Sequence, residues 1–173
     1  MNKKHSLLSL TLLLLSNIGL ANAPLQTVKN VDLKRYAGRW YEIASIPNRF
    51  QKGCRCTMAT YTLSGPNRID ILNQCLKPDN SVDTARGKAW AADTSNTGKL
   101  SVQFFWPFRG KYWILALDKH YRYAMVGAPS RDYLWILSRR KTLSSKDYNA
   151  LLSNATQQGF DVKRLRKTDQ SCR

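Results

Sequence analysis

Glutamate is nearly missing from this chain: Glu42 is the only one among 173 residues, and 11 acids face 28 lysines and arginines. Without a second acid beside Glu42, paired-carboxylate chemistry has no candidate. Histidine is as scarce, with His5 and His120 alone. His120 falls in an expected turn with no serine or cysteine signature nearby, so nucleophile–base catalysis has no candidate either. The spacing Cys54-x-Cys56, then Cys75 and Cys172, suits a zinc site poorly. No cysteine precedes Cys54, which argues against a bacterial lipid-anchor site at a leader junction. Past residue 23 no segment is long and apolar enough to span a membrane, and no linker, repeat or low-complexity stretch interrupts the chain. The expectation is a non-enzyme with no cofactor and no metal.

What is present begins with an export leader. Lys3 and Lys4 precede a largely apolar stretch from Leu7 to Leu20, and small residues follow at Gly19, Ala21 and Ala23. The leader is read as residues 1–21, with cleavage after Ala23 as the other choice and an uncleaved anchor as the competing reading. The remainder, 22–173, has the length of one domain with a real core. Four cysteines in an exported chain suggest two disulfides. Of three connectivities, Cys54–Cys75 with Cys56–Cys172 is preferred, because Cys54 and Cys75 lie symmetrically about the turn Ser64-Gly65-Pro66-Asn67; a reactive Cys-x-Cys pair is the sharper alternative. The formal charge of +17 favours anionic partners without choosing among lipid headgroups, nucleic acid and acidic proteins.

Short alternating runs separated by turn clusters argue for an all-β sandwich or barrel. Strands are expected near 39–46, 56–63, 68–76, 85–92, 99–106, 111–118, 121–127 and 133–139, after a short turn at Lys34-Arg35-Tyr36. Leu100, Val102 and Phe104 share one strand face while Ser101 and Gln103 share the other. One helix is expected, with Ser144 as N-cap, Gly159 as its stop, and Tyr148, Leu151, Leu152 and Ala155 as its apolar stripe. An extended tail or short strand should follow over Phe160 to Leu165.

Three separated motifs resemble those of the lipocalins, within them the bacterial lipocalin and apolipoprotein D-like group. They are Asp32-Leu33-Lys34-Arg35-Tyr36-Ala37-Gly38-Arg39-Trp40-Tyr41-Glu42, then Ala116-Leu117-Asp118-Lys119-His120-Tyr121-Arg122-Tyr123, then Leu134-Trp135-Ile136-Leu137-Ser138-Arg139. The resemblance implies an eight-stranded antiparallel up-and-down barrel with one C-terminal helix packed outside. It implies a floor closed by Trp40 and Arg139, and it supports the Cys56–Cys172 bond. It also implies a small apolar or amphipathic ligand, such as a fatty acid or lysophospholipid, and a role in membrane maintenance or lipid transport.

Strand parity then nominates the lining: Ala59, Tyr61, Ile69, Ile71, Asn73, Leu100, Val102, Phe104, Tyr112, Ile114 and Trp135, some of which should simply fill the barrel as core. Glu42 is expected to be a buried carboxylate paired with arginine or tyrosine. Loops at the open end carry Arg49, Phe50, Lys52, Trp106, Phe108, Arg109 and Lys111, a basic-aromatic set suited to an anionic membrane surface. Export and the barrel motifs disfavour nucleic acid. The reading is a soluble periplasmic carrier, outer-membrane associated or secreted. The alternative is a secreted basic interaction protein binding a polyanionic or host macromolecule. A more distant alternative is an isomerase-like enzyme using a pocket cysteine.

Overall fold

The computed structural model describes residues 23–172, so the leader expected at residues 1–21 lies outside the described residues. Eight antiparallel strands follow one another around a ring: β1 (Gly38–Ser45), β2 (Arg55–Gly65), β3 (Arg68–Leu76), β4 (Val82–Ala91), β5 (Lys99–Phe105), β6 (Phe108–Leu117), β7 (Tyr123–Gly127) and β8 (Leu134–Ser138). Each pairs with the next, β8 pairs with β1, and β1 pairs back onto β2, which closes the barrel. Closure leaves no long free edge for another chain to pair with. The register places Trp40 opposite Ala59 and Tyr61 opposite Ile71, so these side chains share the inner face.

Two apolar clusters result from this alternation. The inner one holds Trp40, Ala59, Tyr61, Ile69, Ile71, Ala89, Leu100, Ile114, Ala124, Val126 and Leu137. The outer one joins Leu115, Met125, Leu134 and Ile136, the opposite faces of β6 to β8, to Leu151 and Ala155 of the helix α2 (Ser145–Gln157). Ser144 caps that helix by accepting from the Asp147 backbone N–H at 3.1 Å. Gly159, at φ +81°, follows the helix end in the left-handed conformation that glycine adopts most cheaply.

Three local expectations are corrected. Lys34-Arg35-Tyr36 is part of a short helix, α1 (Leu33–Tyr36), because Asp32 accepts from the N–H groups of Lys34 and Arg35 at 2.9 and 3.2 Å. The stretch Phe160 to Leu165 is not a strand. Phe160 is buried under α2, and Asp161 caps a 3₁₀ turn at Val162–Arg164. Only then does the chain form β9 (Arg166–Lys167), which pairs with Ala44 and Ser45 of β1. Finally, Tyr121 adopts φ +60° and ends the turn before β7 rather than starting the strand.

Both disulfides have the preferred pairing: Cys54–Cys75 joins the mouth ends of β2 and β3, and Cys56–Cys172 ties the tail to β2 across 116 residues of sequence. Between them Gln170 donates to the carbonyls of Glu42 and Thr57 at 2.9 and 2.8 Å, bridging β1 and β2 where they diverge. Cys172→Ser in the oxidised protein is expected to cost about 2–4 kcal/mol, read as a lowered midpoint in urea unfolding. An unchanged midpoint would show that the tail is not a tether.

Candidate ligand-binding barrel

The closed end is built around Arg139. Its guanidinium carbon lies 3.8 Å from the centroid of the Trp40 ring. Nη2 donates to the carbonyls of Arg35, Tyr36 and Ala37 at 2.8, 3.2 and 2.8 Å. Nη1 donates to Arg39 at 2.9 Å and Nε to Tyr121 at 3.2 Å. Three chain segments converge on one side chain. Trp40 is fully buried, and its indole N–H donates to the Tyr36 carbonyl at 2.8 Å. Gly38 makes room for this: a Cβ there would sit 3.2 Å from Arg139 Nη1, and its φ of +95° disfavours any side chain. Beside the floor, Asp118 accepts from both backbone and guanidinium of Arg122 and from the His120 N–H. Arg122 therefore holds the Asp118 carboxyl well below its usual pKa. This contribution is present above the ordinary aspartate pKa and is lost as pH falls below it.

Above the floor the inward set is graded. Ala59, Tyr61, Ile69, Ile71, Leu100 and Ile114 are buried, whereas Asn73, Val102, Phe104, Tyr112 and Trp135 are half-buried. The lower half of the barrel is thus packed core, and accessible surface begins with Val102, Phe104, Tyr112 and Trp135. Gly87 and Gly110 leave space for this part of the wall. A Cβ at Gly87 would lie 2.7 Å from Phe104, and one at Gly110 would lie 3.1 Å from Val102.

Glu42 is buried as expected, but not with the expected partners. It accepts from Ser45 Oγ at 3.0 Å, from Gln51 Nε2 and from Thr168 Oγ1, with no arginine or tyrosine among the described residues bonded to it. Gln51 in turn accepts from the Trp135 indole N–H at 2.9 Å and from Asn48 at 2.7 Å. This chain fastens the β1–β2 loop to the rim. A cleft of about 480 Å³ lies under that loop, lined by Glu42, Ser45, Asn48, Arg49, Lys52 and Arg166 among others. Most of its lining residues are polar or charged, and none belongs to the apolar set chosen by parity.

The mouth residues divide. Arg49, Phe50 and Lys52 lie on or beside the 3₁₀ turn Arg49–Gln51. Trp106 and Pro107 form a two-residue tip between β5 and β6, leaving Phe105, Trp106 and Phe108 exposed at 69%, 86% and 76%. Arg109 and Lys111 are therefore strand residues, not loop residues as expected. They alternate with the inward Tyr112, and Arg109 stacks over Trp90 at 5.3 Å on the outer wall.

Ala124, Val126 and Leu137, all buried in the inner cluster, are not among the residues expected from the sequence. Leu137 shares the parity of Trp135 and could have been found that way. Tyr36 was also omitted: its hydroxyl lies 2.9 Å from that of Tyr112, which lies 2.8 Å from that of Tyr61. Nothing in a short turn signals that such a side chain enters the barrel.

A family model for a lipocalin-like domain matches residues 31–170. The chain is a lipocalin. Over 139 residues this lipocalin is 44% identical to the Outer membrane lipoprotein Blc of Citrobacter freundii, covering 80% of this chain and 78% of that one. It is 41% identical to Temperature-induced lipocalin-1 of Arabidopsis thaliana over 156 residues, covering 85% and 83%. With Apolipoprotein D of Macaca fascicularis it shares 39% over 150 residues, covering 82% and 78%. Among solved structures, insecticyanin from the tobacco hornworm Manduca sexta superposes with a TM-score of 0.68 at 22% identity, covering 85% of each chain. That likeness concerns the fold.

Proposed function

We propose that this lipocalin is an exported carrier that holds a fatty acid, a lysophospholipid or a similar small apolar ligand in its barrel. Its role would be membrane maintenance or lipid transport in the cell envelope. The observation that carries the reading is the graded interior: a sealed floor under half-buried Val102, Phe104, Tyr112 and Trp135. A mostly apolar wall with a few polar tips is what a small-molecule site needs. No helix among the described residues is long and apolar enough to cross a membrane, and the reading makes the mature protein soluble. Mass spectrometry of an organic extract of the natively purified protein tests it. A stoichiometric acyl lipid is the expected result; a protein that carries none and takes up none from added lipid would refute it.

A contact with anionic membrane belongs to the same reading. Phe105, Trp106 and Phe108 are exposed on the β5–β6 hairpin tip, and Arg49 and Lys52 lie on the β1–β2 loop of the same rim. Aromatic side chains suit the headgroup level, and lysines and arginines suit anionic lipid. Replacing Trp106 and Phe108 by serine should weaken sedimentation with anionic vesicles severalfold while leaving the melting temperature unchanged, because neither ring packs in the core. Reversing Arg49 and Lys52 should weaken it mainly at low salt, since the screening length falls from about 10 Å at 0.1 M to about 3 Å at 1 M. Vesicle binding indifferent to both pairs would remove this contact from the account.

The second reading, a secreted basic protein that binds a polyanionic macromolecule, draws on the charge of +17. It predicts tight polyanion binding by a protein whose barrel is empty, the opposite of the extraction result expected above.

A further inference from the structure

Three tyrosine hydroxyls meet inside the barrel with more protons than hydrogen bonds between them. Tyr112 stands between Tyr36 at 2.9 Å and Tyr61 at 2.8 Å, and these three oxygens have no other hydrogen-bond partner among the described residues. Three O–H groups joined by two contacts can donate at most two protons to one another. Whichever way the chain is oriented, one hydroxyl proton has no acceptor among the described residues. An unspent donor out of reach of water costs free energy, and the cost disappears when an acceptor arrives.

Position gives this a direction. Tyr36 and Tyr61 are sealed by packing: Tyr36 lies against Trp40 with ring centroids 5.0 Å apart and stacks on Tyr61 at 5.7 Å. Tyr112 alone is half-buried, and like the half-buried Val102, Phe104 and Trp135 it packs against the inner cluster, opposite Leu100 in the register. The triad therefore lies on the floor side of these side chains, at the polar bottom of the apolar shaft that the carrier reading requires. Burial pushes the Tyr61 hydroxyl up to about 12 and raises Tyr36 and Tyr112 well above their ordinary value, so all three remain protonated donors at neutral pH.

We propose that the spare proton of the Tyr36–Tyr112–Tyr61 chain donates to a carbonyl oxygen at the leading end of the ligand, so that the barrel takes an oxygen-tipped chain carbonyl-first. This rests on the carrier reading and narrows it. A free fatty acid entering by its carboxyl end fits, and so does a ketone or aldehyde. A lysophospholipid does not, because its leading end is a methyl group and would leave the donor unspent.

The test compares a long-chain methyl ketone with the isosteric alkene in which C=CH₂ replaces C=O. Both are titrated into the wild-type protein and into the triple variant Tyr36→Phe, Tyr61→Phe, Tyr112→Phe. All three must change together, because any surviving hydroxyls again outnumber their mutual bonds by at least one. Removing them together keeps ring shape and removes every buried donor, a change that can be nearly neutral for stability. The expected result is a ketone-to-alkene affinity ratio about tenfold lower in the variant. In the wild-type protein the infrared carbonyl stretch of bound ketone should lie at the lower frequency of a hydrogen-bonded carbonyl. That measurement needs no variant, so it stands even if the triple substitution fails to fold. A wild-type stretch matching free ketone in hydrocarbon overturns the proposal, as does a ratio unchanged between the two proteins. In either case, retained binding of both probes would leave the carrier reading intact. If neither probe enters the wild-type barrel, both readings fall together.

Discussion

Trp40→Ala is expected to lower the free energy of unfolding by about 3–5 kcal/mol, the usual cost of deleting a buried aromatic side chain. The ring is fully buried, and three sets of contacts depend on it: the Tyr36 ring, the Tyr36 carbonyl and the Arg139 guanidinium. Arg139→Ala should act by a different route, because five donor contacts to the carbonyls of Arg35, Tyr36, Ala37, Arg39 and Tyr121 disappear together. Carbonyls left without donors in a sheltered floor add to the loss. Both variants should shift urea unfolding far more than they alter the rank order of ligands. A Trp40→Ala protein that unfolds like the parent but binds no ligand would place Trp40 in the ligand site and not in the floor.

Val102→Asp is expected to weaken every long-chain ligand by at least about 2 kcal/mol, roughly thirtyfold. Val102 faces the interior between buried Leu100 and half-buried Phe104, with Gly110 opposite. A ligand that covers an aspartate there must strip its hydration without supplying a cation. The same desolvation should raise the new carboxyl's pKa in the complex. The defect should therefore be greatest above that pKa and shrink as acid neutralises the group. Ionic strength should matter little, since the charge lies inside the wall. Trp135→Asp should behave alike, with an added loss of the rim fastening through Gln51. Ligand affinities indifferent to Val102→Asp at neutral pH would mean that ligands bind elsewhere, the cleft beside Glu42 being the first place to look.

The barrel could be read from the sequence because its determinants are local and periodic. Leu100-Ser101-Val102-Gln103-Phe104 alternates as a strand with one wet face, and Ser64-Gly65-Pro66-Asn67 marks a hairpin that also brings Cys54 beside Cys75. The floor pair was named through motifs a hundred residues apart, which no local pattern could join. What escaped depends on tertiary contacts made by residues with weak local signals. Tyr36 reaches the interior because α1 folds across the barrel's end, and a four-residue helix with no periodic stripe leaves no trace in the sequence. Glu42 is expected to pair with arginine or tyrosine, yet Ser45, Gln51 and Thr168 satisfy it instead. Arg109 and Lys111 are expected at an open-end loop because Pro107 and Gly110 are turn residues. The hairpin is tight, and both residues fall on the outer wall.

The most direct test of the account is calorimetric titration with a series of saturated fatty acids differing only in chain length. If the barrel interior holds the ligand, affinity should rise with each added methylene by up to about 0.8 kcal/mol until the shaft is filled, then level off. Affinity that stays flat across the series, or that follows only the charge of the headgroup, would contradict it.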